Sequence, residues 1–426
     1  MIKIYKKECA QEFLQKLNSR AVGGVVDVEN TVKEIIESVK TEMDVALNRY
    51  TKKFDGIDKV GKVTKEEAEE AYNSCDPNLI KALKNAATNI YDFHKRQRRQ
   101  GYTVTNKEGI VLGYRITPIE SVGLYVPGGT AAYPSSVLIN AIPAKIAGVK
   151  EIIMITPPGK DGKINQNVLA AAYICGITEI FTAGGAQGIA ALAYGTETIP
   201  KVDKIVGPGN VYVATAKKLL FGTVDIDMIA GPSEILVIAD EKADTSFIAA
   251  DMMSQAEHDP LSSSILVTPN ESIAQKVNEE IKRQIKYLDR KDIIAKSLQN
   301  YGAALICDSL KEAAELSNKI APEHLEIMTE YPFDLLGLIT NAGSIFLGSF
   351  SPEPLGDYYS GTNHVLPTNG TARFFSSLGV DSFIKKSGFT YYTEKALKKA
   401  GADIMEIAKK EGLTAHANSI EVRLKR

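Results

Sequence analysis

From about residue 121 the chain repeats one grammar: a short β-rich run, a glycine or proline loop, then a helix-like stretch of alanine, leucine and isoleucine. Residues 122–126 run into Pro127-Gly128-Gly129, residues 152–156 into Pro157-Pro158-Gly159, residues 179–182 into Gly184-Gly185, and residues 204–206 into Gly207-Pro208-Gly209. A strand followed by a tight turn and a helix reaches its next partner by crossing over, which lays the strands parallel. A second series at 235–239, 265–268, 304–307 and 325–328 follows, with helical patterns between. The expected fold is therefore α/β, with two parallel-sheet, incompletely Rossmann-like lobes. Whether the two series repeat one another stays open at the level of sequence.

A chain of 426 residues exceeds one ordinary core, which agrees with two lobes. Ahead of the strands, residues 10–19 and 28–53 carry apolar positions at helical spacing. Residues 77–100 set Leu79, Leu83, Ala86, Ala87, Ile90 and Phe93 on one stripe. No strand series follows residue 376. The expected partition is a 1–22 arm, a first lobe of 23–120 plus 235–375, a second lobe of 121–234, and a helical tail of 376–426.

Charge excludes several function classes. The formal net charge is −2, so no whole-chain field favours nucleic acid or an acidic membrane. The basic run Lys95, Arg96, Arg98 and Arg99 reads as a solvated helix face, with His94 beside it as surface decoration. The four cysteines (Cys9, Cys75, Cys175, Cys307) form no CxxC pair, which predicts reduced thiols and no cysteine-built metal site. Cys175 has no cation nearby to lower its pKa and reads as a buried small apolar residue. No long apolar run develops, so a cytoplasmic protein without a spanning segment is the expectation.

Three glycine loops could bring backbone amides to a phosphate at a helix start: those at 126–129, 183–187 and 207–210. None completes a GxGxxG fingerprint and none contains Gly-Lys-Ser/Thr. Plain tight turns and nucleotide binding both remain open.

The histidines are more informative. Gln255 and His258 stand at i and i+3 before Asp259-Pro260, so one ion could meet both; a histidine placed by the helix dipole explains His258 equally. Glu323-His324 offers two adjacent bases where a helix gives way to a strand, although such a dipeptide alone is commonly a surface pair. Asp357 and His364 fall in an irregular run of Pro, Gly, Asp and Asn, the kind of ordered segment where sites lie. Glu411 and His416 fall near the end of the sequence, where a lone histidine would ordinarily be solvent-exposed. Two histidines, an aspartate and an amide would suit a borderline metal such as zinc.

At these residues the chain resembles the histidinol dehydrogenase family, from about residue 20 onward. The likeness rests on Val122-Gly-Leu-Tyr-Val-Pro-Gly-Gly129, Thr182-Ala-Gly-Gly-Ala-Gln187, Lys204-Ile-Val-Gly-Pro-Gly-Asn210, Ala230-Gly-Pro-Ser-Glu234, Gln255-Ala-Glu-His258, Ala321-Pro-Glu-His-Leu325, Gly356-Asp357, Asn363-His-Val-Leu-Pro-Thr368 and Leu413-Thr-Ala-His416. The resemblance implies zinc held by Gln255, His258, Asp357 and His416, and proton transfer by Glu323 and His324. It implies substrate contacts at Ser233, Gln255, His258, His324, Asp357, His364, Glu411 and His416. It also implies an NAD site lined by Tyr125, Gln187 and Asn210 in the 121–234 lobe. The implied reaction is oxidation of L-histidinol to L-histidine through an aldehyde, reducing two NAD. The implied assembly is a homodimer in which Glu411 and His416 act in trans. Two rivals remain: a zinc hydrolase with Glu323 as base, which leaves the glycine loops without a role, and an RNA-binding module using the 95–99 helix, which leaves the histidine motifs without one.

Overall fold

The computed structural model describes residues 2–20, 25–128 and 132–425. Its first parallel sheet runs in the order Glu179–Phe181, Glu151–Ile155, Ser121–Tyr125, Lys204–Val206, Asp225–Ile226. Numbered along the chain, that order is 3-2-1-4-5, with the switch between the strands Ser121–Tyr125 and Lys204–Val206. The side-chain alternation of a strand sorts its residues between two cores. Val122, Leu124, Ile152 and Met154 pack on Val137, Leu138 and Ile142 of helix Pro134–Ala147. Tyr125, Ile153, Ile155 and Phe181 pack on Ile189, Ala190 and Leu192 of helix Gly185–Tyr194. Each fully buried aliphatic side chain of this kind contributes about 1.5–3 kcal/mol.

The partition expected for residues 23–120 needs correction. Val32, Ile36, Val39 and Leu47, from helices Val25–Glu42 and Asp44–Asp55, belong to the second of these cores, and Leu83, Ala86 and Ile90 of helix Pro77–His94 belong to the first. These helices thus cover both faces of the 121–234 sheet, and residues 235–375 meet them at Val365 in the first core and at Tyr359, whose carbonyl accepts from Asn89 Nδ2 at 2.8 Å. The reason is physical: a parallel sheet must be buried on both sides, and its own crossover helices leave room on each.

The second parallel sheet has six strands in the order Lys3–Tyr5, Gly302–Ile306, Ser263–Thr268, Glu234–Ala239, His324–Met328, Ser344–Leu347. The N-terminal arm supplies its edge strand. The other five repeat the 3-2-1-4-5 order, switching between Glu234–Ala239 and His324–Met328. Ile235 and Val237 face Ile248, Met252, Val277 and Leu298, while Leu236 and Ile238 face Phe13, Ala313 and Ile320.

A third sheet was not foreseen. Ile384–Tyr391 pairs antiparallel with Val111–Pro118, which pairs with Tyr102–Thr105. The tail is therefore not helical throughout: a strand precedes helices Glu394–Lys410 and Thr414–Leu424, which pack on each other. Tyr102, Val104, Tyr114, Tyr391, Ile407 and Val422 are exposed on this arm. No described helix is long and apolar enough to cross a membrane.

Candidate active site

Helix Leu310–Ile320 ends on Ala321, whose left-handed backbone (φ 53°) and the following Pro322 stop it and turn the chain into strand His324–Met328. The turn delivers Glu323 and His324, both buried, to the opening residues of Glu234–Ala239. The Glu234 N–H donates to Glu323 Oε2 at 2.8 Å, and His324 Nδ1–H donates to the Glu234 carbonyl at 3.0 Å. One residue thus holds both side chains through its backbone. The Nδ1 contact fixes the tautomer and leaves Nε2 facing Asp357 Oδ1 at 3.7 Å and Glu353 Oε1 at 3.9 Å.

Burial pushes the Glu323 carboxyl up to about 8. Burial pulls the imidazole of His324 down, but the carboxylates of Glu323, Asp357 and Glu353 overcome it and raise His324 to about 10. Asp357 sinks to about 2, against burial, through His324 and His364. An imidazole held among carboxylates is a proton acceptor whose affinity any added positive charge would lower.

Gln255 closes the final turn of helix Thr245–Ala256, and His258 follows just past its end. Gln255 is buried with its amide against Glu353, whose carboxyl it holds down a little, and its Oε1 has no partner. His258 is exposed at the rim, yet protein surrounds it enough for desolvation to lower its pKa against the pull of Asp357. Ser233 immediately precedes Glu234, and its carbonyl accepts from the Ser263 N–H at 3.0 Å. His364 donates through Nδ1 to the Asp357 carbonyl at 2.9 Å and sets Nε2 3.5 Å from Ser136 Oγ in the other lobe. Asn363 Nδ2 adds a 3.0 Å bond to the Ile139 carbonyl, so this irregular segment bridges the two lobes.

Three further acids of this neighbourhood are not among the residues singled out from the sequence. Glu353, in the short helix Glu353–Tyr358, accepts from Ser254 Oγ at 3.2 Å and forms, with His324 and Asp357, a group whose ligand atoms lie within 4.8 Å of one another. Behind it, Glu326 accepts from the Glu353 N–H at 2.7 Å and shares its burial with Asp251. Burial raises all three, Asp251 to about 6 and Glu353 to about 8. A Glu flanked by prolines at the start of a helix was the visible clue to Glu353.

Among the described residues this group takes in Asp357 but neither His258 nor His416. Glu411 and His416 are exposed on the C-terminal arm.

The remaining candidates lie at the carboxyl edge of the five-stranded sheet. Tyr125 ends its central strand, and burial raises its hydroxyl to about 12. Gln187 is buried in the first turn of Gly185–Tyr194, with Nε2 3.4 Å from Asp55 Oδ2 and Oε1 unpaired. Asn210 is exposed and caps Val211–Leu220, its Oδ1 accepting from the N–H groups of Tyr212 and Val213. Gly207 (φ +110°) brings the next loop so close that a Cβ there would lie 2.1 Å from the Tyr125 carbonyl oxygen. Gly129 lies outside the described residues. A cation does lie near Cys175, since Lys145 donates to its carbonyl, but burial outweighs that pull and raises the thiol to about 12, consistent with an inert role. His94 is not a surface residue: it is fully buried, and Nδ1 contacts the Ile90 carbonyl at 2.9 Å.

Comparison with known proteins fits this arrangement. The sequence model of the histidinol dehydrogenase family matches residues 18–424. Histidinol dehydrogenase of Clostridium acetobutylicum is 56% identical over 97% of the chain and 96% of its own length. That of Caldanaerobacter subterraneus is 54% identical over 98% of each. The crystal structure of histidinol dehydrogenase from Elizabethkingia anophelis superposes with a TM-score of 0.94 at 43% identity, covering 100% of this chain and 98% of that one. With the family matched along almost the whole length and the paired-lobe architecture shared, the chain belongs to the histidinol dehydrogenase family of oxidoreductases.

Proposed function

We propose that the protein oxidises L-histidinol to L-histidine through L-histidinal, with zinc and two NAD, in the final steps of histidine biosynthesis. The observation that carries the reading is the buried Glu323–His324 pair, held from both sides by the Glu234 backbone with His324 Nε2 turned toward Asp357. With a cation offsetting the surrounding carboxylates, the His324 imidazole is neutral and accepts the carbinol proton at Nε2. Glu323, desolvated and bonded to a backbone N–H, takes a proton from the water that hydrates the aldehyde. Its burial keeps bulk water from the intermediate.

The donor set suits zinc. The Gln255 amide oxygen is buried without a partner, and Asp357 faces His324 across a short gap. Gln255, His258 and Asp357 would hold the ion, with His416 of a second copy completing nitrogen and oxygen coordination. Zinc supplies orientation of the substrate's amine and imidazole, and NAD supplies the hydride acceptor. On the other lobe, Tyr125, Gln187 and Asn210 stand at the crevice where strand order reverses, the usual place for a nucleotide in an open α/β sheet. Ser233 and His364 lie where the substrate's polar ends would reach. The apolar faces of the 102–118 and 384–424 arm fit burial in a homodimer that carries Glu411 and His416 to the partner's site. The setting for such an enzyme is the cytoplasm.

One assay tests the reading. Zinc-loaded protein should form two NADH per L-histidinol, and no NADH at all would overturn the dehydrogenase. Mixing His416→Ala with His258→Ala chains should restore about a quarter of wild-type activity, because one site in each mixed dimer is intact. Complete failure, with mixed dimers confirmed, would overturn action in trans.

A further inference from the structure

Arg20 follows helix Ala10–Ser19 of the N-terminal arm, far in sequence from every site residue, and its side chain is only 1% exposed. Its guanidinium stands 5.6 Å from the Tyr301 ring centroid. It donates to three acceptors. Nη2 donates to the Glu234 carboxylate, forming a buried ion pair, and to Asn369 Oδ1 at 3.0 Å. Nη1 donates to the Leu261 carbonyl at 2.9 Å.

Each acceptor belongs to a different stretch of the site. Glu234 holds Glu323 and His324 through its backbone. Leu261 follows His258-Asp259-Pro260 and leads into strand Ser263–Thr268. Asn369, in the left-handed region (φ 53°), closes the segment that carries His364. The Gly231 N–H donates to Thr368 Oγ1 at 2.7 Å, and a Cβ on Gly231 would lie 2.0 Å from Asn369 Nδ2, so the loops touch behind the pair.

Burying a guanidinium costs several kcal/mol after relaxation, and here Nε has no partner. An apolar side chain would fill the space without that cost. What only arginine does is donate from one rigid plane to several oxygens at once. We infer that Arg20 is a positioning residue for the reaction, clamping Glu234 and thereby fixing Glu323 and His324, while registering the His258 and His364 segments against them. The N-terminal arm is then part of the catalytic framework as well as a sheet edge.

The inference rests on the roles given above to Glu323 and His324, so wild-type histidinol oxidation is measured alongside. Arg20→Ala and Arg20→Lys are compared in zinc-loaded protein. A small displacement of a catalytic group can cost up to about 100-fold in rate, so kcat should fall about 10- to 100-fold while the histidinol KM changes little. Added guanidinium should restore part of kcat in Arg20→Ala and none in His324→Ala. Glu234→Gln should cost about as much as Arg20→Ala, and the double variant scarcely more. Amide hydrogen exchange over 231–238 should quicken in both Arg20 variants. Unchanged kcat overturns the proposal; so does a loss that guanidinium does not rescue and that adds to the loss from Glu234→Gln. If Arg20→Ala does not fold, Arg20→Lys carries the test, because its charge remains but it cannot span three acceptors. An inactive wild type would overturn the proposed function instead, and the exchange measurement would still decide whether Arg20 clamps Glu234.

Discussion

The two parallel sheets share one strand order and put their candidate groups at opposite edges. In the five-stranded sheet Tyr125 ends its strand and Gln187 and Asn210 follow theirs, at the carboxyl edge where helices begin. In the six-stranded sheet Ser233, His258 and Glu323 precede their strands and His324 opens one, at the amino edge where the crossover helices Thr245–Ala256 and Leu310–Ile320 have just ended. Helix N-termini present N–H groups and partial positive charge, which favour a phosphate; helix C-termini present carbonyls and partial negative charge, which favour a cation. On the function proposed above, one topology used from its two ends would serve a dinucleotide at one edge and a metal with its proton acceptor at the other.

The largest expected effect lies at the amino edge. Removing a positioned proton acceptor costs about 10²–10⁴ in rate, so His324→Ala should lower kcat by that order with NAD binding unchanged. NAD binding can be read by fluorescence quenching. A parallel loss of NAD affinity would break the division of labour between the edges.

At the carboxyl edge the sharpest test is Gly207→Ala. The backbone at φ +110° disfavours any side chain, and the new Cβ would meet the Tyr125 carbonyl. Strain of this kind costs about 1–3 kcal/mol. The melting temperature should fall and the NAD KM should rise, with the histidinol KM held. If the histidinol KM rises instead, the crevice at this switch point is not where the nucleotide sits.

Much of this contrast was legible in the sequence, and the gaps have physical causes. Both strand series could be placed because short β-branched runs bounded by Gly and Pro have few alternatives; residues 204–206 coincide with the observed strand. Ile384–Tyr391 was hidden because its burial pattern is exposed nearly throughout, so no alternation marks it. Glu326 was hidden inside an apolar strand, where its neighbours spoke only for burial. Arg20 looked like any charged residue after a helix, since its partners lie 214 to 349 positions away. The division of labour among the histidines, with His258 and His416 on zinc, His324 on proton transfer and His364 on substrate, came from family resemblance alone, and spacing could not have supplied it.

His94 is the one histidine that the five-stranded lobe keeps for itself, and it gives the smallest effect. The helical stripe through Leu83, Ala86 and Ile90 reaches position 94 four residues after Ile90, so the periodicity already pointed inward; Phe93, assigned to the stripe, is exposed. Burial lowers the His94 pKa below its ordinary 6.5, against contacts to the backbone of Ile90 and Leu378. The unfolded chain therefore binds this proton more readily than the folded one. Stability is fully present above about pH 6.5 and declines as pH falls below it, by at most about 1.4 kcal/mol per pH unit. Urea midpoints between about pH 8 and pH 5.5 should show a shallower acid-side decline in His94→Gln than in wild type. An identical decline in both would mean that another group takes up the proton, and that His94 does not set the acid sensitivity of this lobe.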